Sequence, residues 1–324
     1  MKIENISDLR VLLQTAQTGS LTRAAAVLGI TPAAASATLK RVEGQLGTRL
    51  FERSTRAMRL TPAGQTMLDY ASRAFELIGE GEAQATADTD TLIGRVRLSA
   101  PSDLARTVLL PWLDEFLEQN AGVKLDLSIG DRTADILRDE LDLSIRYGTL
   151  ADSRLVARQL IAPHPVVVAS PGYLAKFGAP ASPADLGRHN CLLYDRAGRL
   201  HRNWQFSRDD QWVEVSVQGN RHVNDASLAR QWALAGAGIL LKSPLEQMQD
   251  MVEGRLVRLL SEWQTEAYPL YAVLPSGRFI PRRLRALVDY LAAKFEGMQA
   301  TMAAELGRSA PQEHVHDAVR NKSR

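Results

Sequence analysis

The stretch LGITPAAASATLKRVEGQLG, residues 28–47, decides the fold at the N-terminal end of this chain. Thr31 is a typical N-cap, and Pro32 follows at the first helical position, where its missing N–H costs nothing. Gly47 is suited to end the helix because it adopts a left-handed conformation at little cost. The pattern therefore predicts a helix with one apolar face, formed by Ala35, Leu39, Val42 and Leu46.

Two shorter helices are predicted before it. Ser7 is the expected N-cap of an apolar-periodic run from Leu9 to Ala16, and a second run, 21–28, ends at Gly29. Two helices joined by a short glycine-containing turn are typical of a helix-turn-helix, whose second helix enters the major groove of DNA. The same pattern also fits a helical hairpin packed into a core. In the DNA-binding interpretation, the helix that starts at Thr31 is the one that enters the groove. It presents Thr31, Pro32, Ala33, Ser36, Ala37 and Lys40 to the bases.

A basic hairpin is predicted directly after these helices. Two strand-like runs, 50–53 and 58–60, flank a short turn, and Arg53, Arg56 and Arg59 lie on this segment. Guanidinium groups suit phosphate oxygens, so the hairpin can act as a wing on the DNA backbone. Residues 1–66 hold nine bases and four acids, although the whole chain carries a formal charge of only +2. Such asymmetry is typical of a nucleic-acid-binding end, with a solvated basic face as the alternative.

From Ala25 to Gly64 the sequence resembles the DNA-binding domain of LysR-type transcriptional regulators. The most specific motifs are LG at 46–47, LFxRxxR at 50–56 and LTxAG at 60–64. Pro32 and Ala37 depart from the family, in which many members have a polar residue and an arginine there. These departures concern which bases are read and not the docking mode. The resemblance implies that Thr31, Ser36, Lys40, Arg53 and Arg56 contact DNA.

A longer helix is predicted to start at Thr61–Gly64. Its apolar seam of Met67, Ala71, Ala74 and Ile78 needs a partner, which is either its own domain or a second copy of the chain. In the LysR family this linker helix pairs with a second copy and makes the dimer. We therefore predict a winged helix-turn-helix domain over 1–62, and a linker helix with a polar hinge over 63–90.

Strands and helices alternate in the remainder of the chain. Strand patterns at 96–100, 123–129 and 141–145 are separated by helices expected to open at Ser102 and at 130–133, and this βαβαβ order predicts a parallel sheet. A second α/β unit follows, after which a strand and a helix return to the first unit. We predict an effector-binding domain over 91–296, with lobe I at 91–162 and 264–296 and lobe II at 163–263. Residues 297–324 are expected to complete the last helix and form a disordered tail.

The candidate effector site lies between the two lobes. Ligands of open parallel sheets sit beyond the carboxyl ends of the strands, where helix N-termini present N–H groups, and such a site suits an organic anion. The alternative is that Ser, Asp and Asn at these junctions only cap helices. The predicted effector contacts are Ser102, Asp103, Asp131, Thr133, Arg146, Tyr147, Asn224 and Asp225.

The resemblance extends over about residues 1–296 through LDLSIRYGTL at 141–150 and VNDASLARQWALAGAGI at 223–239. It implies a mixed α+β and α/β chain: a winged helix-turn-helix, a linker helix and a two-lobed, periplasmic-binding-protein-like α/β effector domain. It also implies a homodimer or homotetramer on double-stranded promoter or operator DNA. In the family, DNA bending and contact with RNA polymerase change when the small-molecule effector binds.

Other classes of protein are disfavoured by missing features. The single cysteine, Cys191, excludes an internal disulfide, and the sequence has no phosphate-binding loop, G-x-S-x-G or HExxH motif. We therefore expect no enzyme, no cofactor and no metal. The N-terminus lacks the apolar core of a signal peptide, and no apolar run is long enough to span a membrane, so we expect a cytoplasmic protein. A solute-binding transport protein would have no use for the arginine hairpin, whereas a DNA-architectural or ligand-independent repressor without a functional effector site remains an alternative.

Overall fold

The computed structural model describes residues 2–53, 58–86, 91–131, 141–148, 155–196, 199–275 and 280–308. The chain divides into two compact units, Met1–Thr91 and Leu92–Arg324. Among the described residues, no helix is both long and apolar enough to cross a membrane. The predicted tail from residue 309 onward lies outside the described residues.

The elements alternate between short helices and strands along most of the chain. The helices are α1 (Leu9–Thr18), α2 (Leu21–Val27), α3 (Pro32–Leu46), α4 (Pro62–Thr86), α5 (Ser102–Leu104), α6 (Leu110–Gln119), α7 (Pro171–Phe177), α8 (Ala226–Leu234), α9 (Met248–Val252) and α10 (Arg282–Arg308). The strands are β1 (Phe51–Arg53), β2 (Met58–Leu60), β3 (Gly94–Ala100), β4 (Val123–Ile129), β5 (Leu143–Tyr147), β6 (Leu155–Ile161), β7 (Val166–Ala169), β8 (Leu193–Arg196), β9 (Arg199–Leu200), β10 (Asn203–Arg208), β11 (Gln211–Ser216), β12 (His222–Val223), β13 (Leu240–Lys242), β14 (Val257–Leu259), β15 (Gln264–Thr265) and β16 (Leu270–Pro275).

The helix-turn-helix forms as predicted, from α2 and α3. The Thr31 hydroxyl accepts the Ala34 N–H at 3.1 Å, and Pro32 is the first residue of α3. Gly47 ends the helix with a φ of 73°. The predicted apolar face is turned inward: Ala35, Leu39 and Val42 are buried in the core of this unit.

The predicted cap of the first helix is wrong. The carboxamide of Asn5, not Ser7, accepts a backbone N–H, that of Ser7 at 3.0 Å, and opens a 3-10 turn over Ile6–Asp8 that leads into α1. An Asn side chain that bonds the backbone two residues ahead is a common way to start a turn. Asp8, at the end of this turn, pairs with Arg41 of α3 at 2.8 Å and so ties the two segments together.

The wing is an antiparallel pair of strands, in which Phe51 pairs with Leu60 and Arg53 with Met58. The segment that was predicted to form its turn, residues 54–57 with Arg56, lies outside the described residues. Helix α4 follows at once and lies very close to the hairpin. A Cβ atom on Gly64 would be 1.9 Å from the carbonyl oxygen of Leu50, so this approach requires glycine.

The two halves of α4 have different surroundings. Ala71 is buried, and Met67 and Phe75 pack against the core of their own unit. Farther along, Leu77 and Ile78 are exposed. The predicted seam is therefore divided: its first part is covered by its own domain, and Ile78, in its second part, is open to a partner.

The second unit begins with a five-stranded sheet in the order β4-β3-β5-β16-β6, which forms lobe I. Strand β3 is parallel to β4 and β5, which confirms the predicted parallel core. The returning strand β16 is antiparallel to both of its neighbours. The helix expected after Gly130, with Thr133, lies outside the described residues.

Lobe II contains three three-stranded sheets, β13-β7-β14, β12-β8-β9 and β11-β10-β15. The chain enters this lobe between β6 and β7 and leaves it between β15 and β16. The two crossing segments are bonded to each other, since the Tyr268 N–H donates to the Pro163 carbonyl at 2.8 Å. Helix α10 packs first on lobe I, through residues such as Leu291, and then on lobe II through Leu306.

Candidate DNA-binding face and effector cleft

The predicted base-reading residues share one face of α3, opposite the buried one. Thr31, Pro32, Ala33, Ala37 and Lys40 are exposed, and Ser36 is half-buried. Arg53 ends β1, next to the wing turn. This face carries methyl groups and one ammonium but few hydrogen-bonding side chains. It suits contacts with thymine methyls and with DNA shape better than a dense set of base hydrogen bonds.

A cleft opens in the second unit where strands of both lobes end. It is lined from lobe I by the ends of β3, β4 and β5, and from lobe II by β8, β13 and the start of α8. The space open to the centre of a water molecule is about 70 Å³. One water needs roughly 10–15 Å³ on this measure, so the cleft suits a compact ligand.

The predicted effector residues fall into three groups. Those that line the cleft are Asp103, Asp131, Arg146 and Tyr147. Ser102 and Asp225 lie beside it, in contact with each other at 3.0 Å. The side chain of Asn224 is exposed and is not part of the lining, and Thr133 lies outside the described residues.

Asp131 bridges the two lobes. Its carboxylate accepts the Ser102 N–H at 2.8 Å and the Ser102 hydroxyl at 2.7 Å, both within lobe I. It also accepts the N–H of Ala226, the first residue of α8 in lobe II, at 2.5 Å. Asp225 caps the same helix by accepting the Ser227 and Leu228 N–H groups at 2.8 and 3.1 Å. The helix ends expected to hold an anion are thus already capped by carboxylates of the chain itself.

Buried charges form the floor of the cleft. Asp103 is 1% exposed and pairs with Arg230 at 3.0 Å and with Lys242 at 3.1 Å. Lys242 also pairs with Glu246 at 3.2 Å. Burial opposes the charge of Lys242, but the two carboxylates outweigh it and raise its pKa. Arg230 continues the network to Asp250. These acids are therefore neutralised in place and repel an incoming anion less than their number indicates.

Tyrosine rings and an arginine form one wall. The rings of Tyr147 and Tyr268 are stacked with centroids 5.3 Å apart, and the Arg196 guanidinium lies 4.8 Å from the Tyr268 centroid. The Tyr147 hydroxyl donates to the Ser243 hydroxyl at 3.0 Å. The Nη2 nitrogen of Arg196 is buried and has no hydrogen-bond partner among the described residues. Arg196 also contacts His201 at 3.4 Å, where burial and then the arginine charge lower the histidine pKa to about 4.

Thirteen lining residues were not among the predicted effector contacts. Lobe II residues dominate this set, and several lie at the end of a strand, so the rule that placed Arg146 at the end of β5 also applies to them. Two of these residues had a signal in the sequence that could have identified them. Lys242 ends one apolar strand, and Arg196 ends another. Those with polar side chains in lobe II and the second crossing segment are Tyr194, Asp195, Arg196, Lys242, Ser243, Glu246 and Tyr268.

No group of three or more His, Cys, Asp or Glu side chains is placed to hold a metal ion within the part of the chain that the structure describes. Cys191 is buried in lobe II, and burial raises the pKa of its thiol to about 12.

Two family models match the chain. The model described as LysR substrate binding domain matches residues 89–296, and the model described as bacterial regulatory helix-turn-helix protein, lysR family, matches residues 6–65. The two matches fall on the cleft-bearing unit and on the helix-turn-helix with its wing.

Curated relatives match over most of their length. The HTH-type transcriptional repressor PA14_22550 of Pseudomonas aeruginosa is 31% identical over 90% of this chain and 93% of its own. The HTH-type transcriptional activator TtdR of Escherichia coli K12 is 30% identical over 88% of this chain and 92% of its own.

Solved structures with both domains are similar to this one. CrgA, a LysR-type transcriptional regulator from Neisseria meningitidis, aligns with a TM-score of 0.59 at 30% identity over 90% of this chain and 99% of its own. The full-length Vibrio cholerae virulence activator AphB aligns with a TM-score of 0.56 at 25% identity over 89% of this chain and 99% of its own.

Proposed function

Because the chain belongs to the LysR family, and is a DNA-binding transcriptional regulator with an effector-binding domain, we propose how its two sites work. The exposed face of α3 reads promoter or operator DNA while the wing arginines hold the backbone. The cleft binds a small organic anion, and the bound effector changes promoter binding or DNA bending. No catalytic step belongs to this scheme, and the protein acts in the cytoplasm, where its DNA lies.

The observation that carries the DNA-binding proposal is the exposed face of α3. Five of the predicted contacts are exposed there although the opposite face of the helix is buried. A face of small residues lets the helix backbone approach the bases closely, and Lys40 adds a charge at the phosphate or base edge. The exposed Tyr70, Leu77 and Ile78 of α4 support the further proposal that two copies pair through this helix, as a homodimer or within a homotetramer.

Genome-fragment binding followed by footprinting tests this proposal. We expect protection of a roughly palindromic site whose half-sites are spaced by whole helical turns, because a symmetric dimer presents two recognition helices. Uniformly weak, salt-sensitive binding without a footprint would contradict it and would favour the DNA-architectural alternative. RNA polymerase is the proposed second partner at that promoter, and recruitment assays on the footprinted fragment test it.

Two substitutions distinguish contacts with the phosphate backbone from contacts that select the base sequence. Arg53→Ala is expected to weaken binding to all fragments alike and to lower the salt slope by about one, because it removes one phosphate contact. Lys40→Ala is expected to change the preference among fragments. Binding isotherms at several salt concentrations measure both, with Lys176→Ala, an exposed lysine of α7, as the control. An unchanged slope in Arg53→Ala would remove the wing from the interface.

The effector proposal rests on Arg196. The capping carboxylates Asp131 and Asp225 leave little room for an anion at the helix ends, whereas the buried Nη2 of Arg196 lacks an acceptor. A buried N–H without a partner costs roughly 1–3 kcal/mol, so an acceptor from a ligand would be favourable there. The stacked tyrosines beside it favour a flat ligand body.

Arg196→Gln is expected to weaken the response to the effector at least tenfold while operator binding without effector is kept. A panel of small organic acids, scored by release or strengthening of the footprinted complex, first identifies a responding acid. Arg188→Gln, an exposed arginine of lobe II outside the lining, is the control. If the response survives in Arg196→Gln at the same acid concentration, the anion is held elsewhere.

A further inference from the structure

A second cavity lies beside lobe II and is larger than the cleft. Its volume on the same measure is about 290 Å³, against about 70 Å³ in the cleft, and the two cavities share no lining residue. Its walls come from the first crossing segment, from β14 and β15 and from the end of α10. Four wall residues of α10, Gln299, Met302, Ala303 and Leu306, lie beyond residue 296, where the family model ends.

The walls are largely apolar and held in place. Pro163, Pro165 and Pro244 line the cavity and are buried, and proline rings restrict the backbone. Trp263 is positioned by a tight turn in which its N–H donates to the Leu260 carbonyl at 2.9 Å. Leu260 has a φ of 51°, which is rare for a bulky side chain and persists only where the surroundings fix it. A cavity with fixed apolar walls is typical of a preformed ligand site.

Arg258 supplies the only strong charge of this lining, which contains no aspartate or glutamate among the described residues. Its Nη1 donates to the Leu306 carbonyl, in the last turn of α10, at 3.1 Å. One guanidinium carries five N–H donors, and this contact uses one of them. Burial lowers the pKa of Arg258, and no ion pair offsets it within the described part of the chain. A partly buried cation beside an apolar cavity is complementary to an acid with a hydrocarbon body.

We propose that this cavity is a second ligand site, which takes an amphipathic carboxylic acid with its carboxylate on Arg258 and its hydrocarbon body against Trp263 and Met302. This proposal is independent of the effector cleft. The first crossing segment contributes to the wall through Pro163, and β15, which leads into the second crossing segment, contributes Thr265. A ligand here therefore touches one connection between the lobes and the strand that leads into the other.

Calorimetric titration of the full-length protein with octanoate, and separately with octan-1-ol, tests the proposal. Arg258→Gln keeps an N–H for the Leu306 carbonyl but removes the charge. It is expected to raise the Kd of octanoate about tenfold or more and to leave that of octanol unchanged. Ala303→Trp fills the cavity from an exposed position on α10 and is expected to abolish binding of both.

Two further variants locate the binding. Arg188→Gln, outside both linings, and Arg196→Gln, in the cleft, are expected to bind octanoate as the original chain does. Loss of octanoate binding in Arg196→Gln alone would assign the acid to the cleft and overturn the second site. Three other results would also overturn the second site. They are equal octanoate affinities in Arg258→Gln and the original chain, unaffected binding in Ala303→Trp, and no binding at about 1 mM octanoate.

Discussion

Replacing Asp103 by alanine is expected to lower the free energy of unfolding of the effector-binding unit by roughly 3–5 kcal/mol. Asp103 is 1% exposed and pairs with both Arg230 and Lys242. Lys242 is itself 3% exposed, so without Asp103 its charge stays buried with Glu246 as its remaining ion-pair partner. Removing one member of a buried ionic network costs far more than the network contributes. Urea unfolding followed by circular dichroism measures the loss.

A surface ion pair provides the matched control. Asp126 pairs with Arg95 at 2.6 Å, but the two side chains are 49% and 44% exposed. Asp126→Ala is therefore expected to change the free energy of unfolding by less than about 1 kcal/mol. Similar losses in Asp103→Ala and Asp126→Ala would show that burial does not determine the contribution of the first pair.

Gly64→Ala is expected to disrupt the junction between the wing and α4 and to remove most specific DNA binding. The new Cβ would lie 1.9 Å from the Leu50 carbonyl oxygen, which is backbone and already accepts the Thr61 N–H at 3.0 Å. Neither the Leu50 carbonyl nor the backbone at position 64 can move without breaking the hairpin. We therefore expect the free energy of unfolding of the N-terminal unit to fall by about 1–3 kcal/mol or more. Thermal unfolding and operator titration of the full-length protein measure the two effects.

Gly79→Ala is the control in the same helix. A Cβ on Gly79 meets nothing within 4 Å, and alanine favours a helix over glycine by about 0.5–1 kcal/mol. This variant is expected to keep or slightly raise the melting temperature and to bind the operator normally. If the two glycine variants lost DNA binding equally, the close approach at Leu50 would not explain the effect.

Local signals in the sequence were sufficient for much of the fold. Helix α3 begins at Thr31 and Pro32 and ends at Gly47, as predicted. Capping residues and helix-ending glycines act within a few residues of the helix end, so they can be recognised in the sequence. Asn5 and Ser7 show the limit of this reasoning. Both can cap a helix, and the choice between them depends on a 3-10 turn held by the Asp8–Arg41 pair, 33 residues apart in sequence.

The lobe II half of the cleft was not predictable in the same way. Tyr194 and Lys242 face the ligand space because their strands pair with β12 and β7, and the order of strands in a sheet is not encoded locally. Arg230 of lobe II is 127 residues from Asp103 of lobe I, and the two pair only after the lobes fold together. Strand ends such as those at Arg146, Arg196 and Lys242 are recognisable in the sequence, but which strand ends face each other across the cleft is not.

The carboxylate of Asp131 hydrogen-bonds to backbone groups of both lobes and so links lobe I to lobe II. A ligand shifts an equilibrium only by the difference in its affinity for the two states. Because the Asp131 contacts join the two lobes, we expect an effector bound in the cleft to act by strengthening or weakening them. We expect such a change to alter the angle between the lobes, and Asp131 is the residue through which that change would begin.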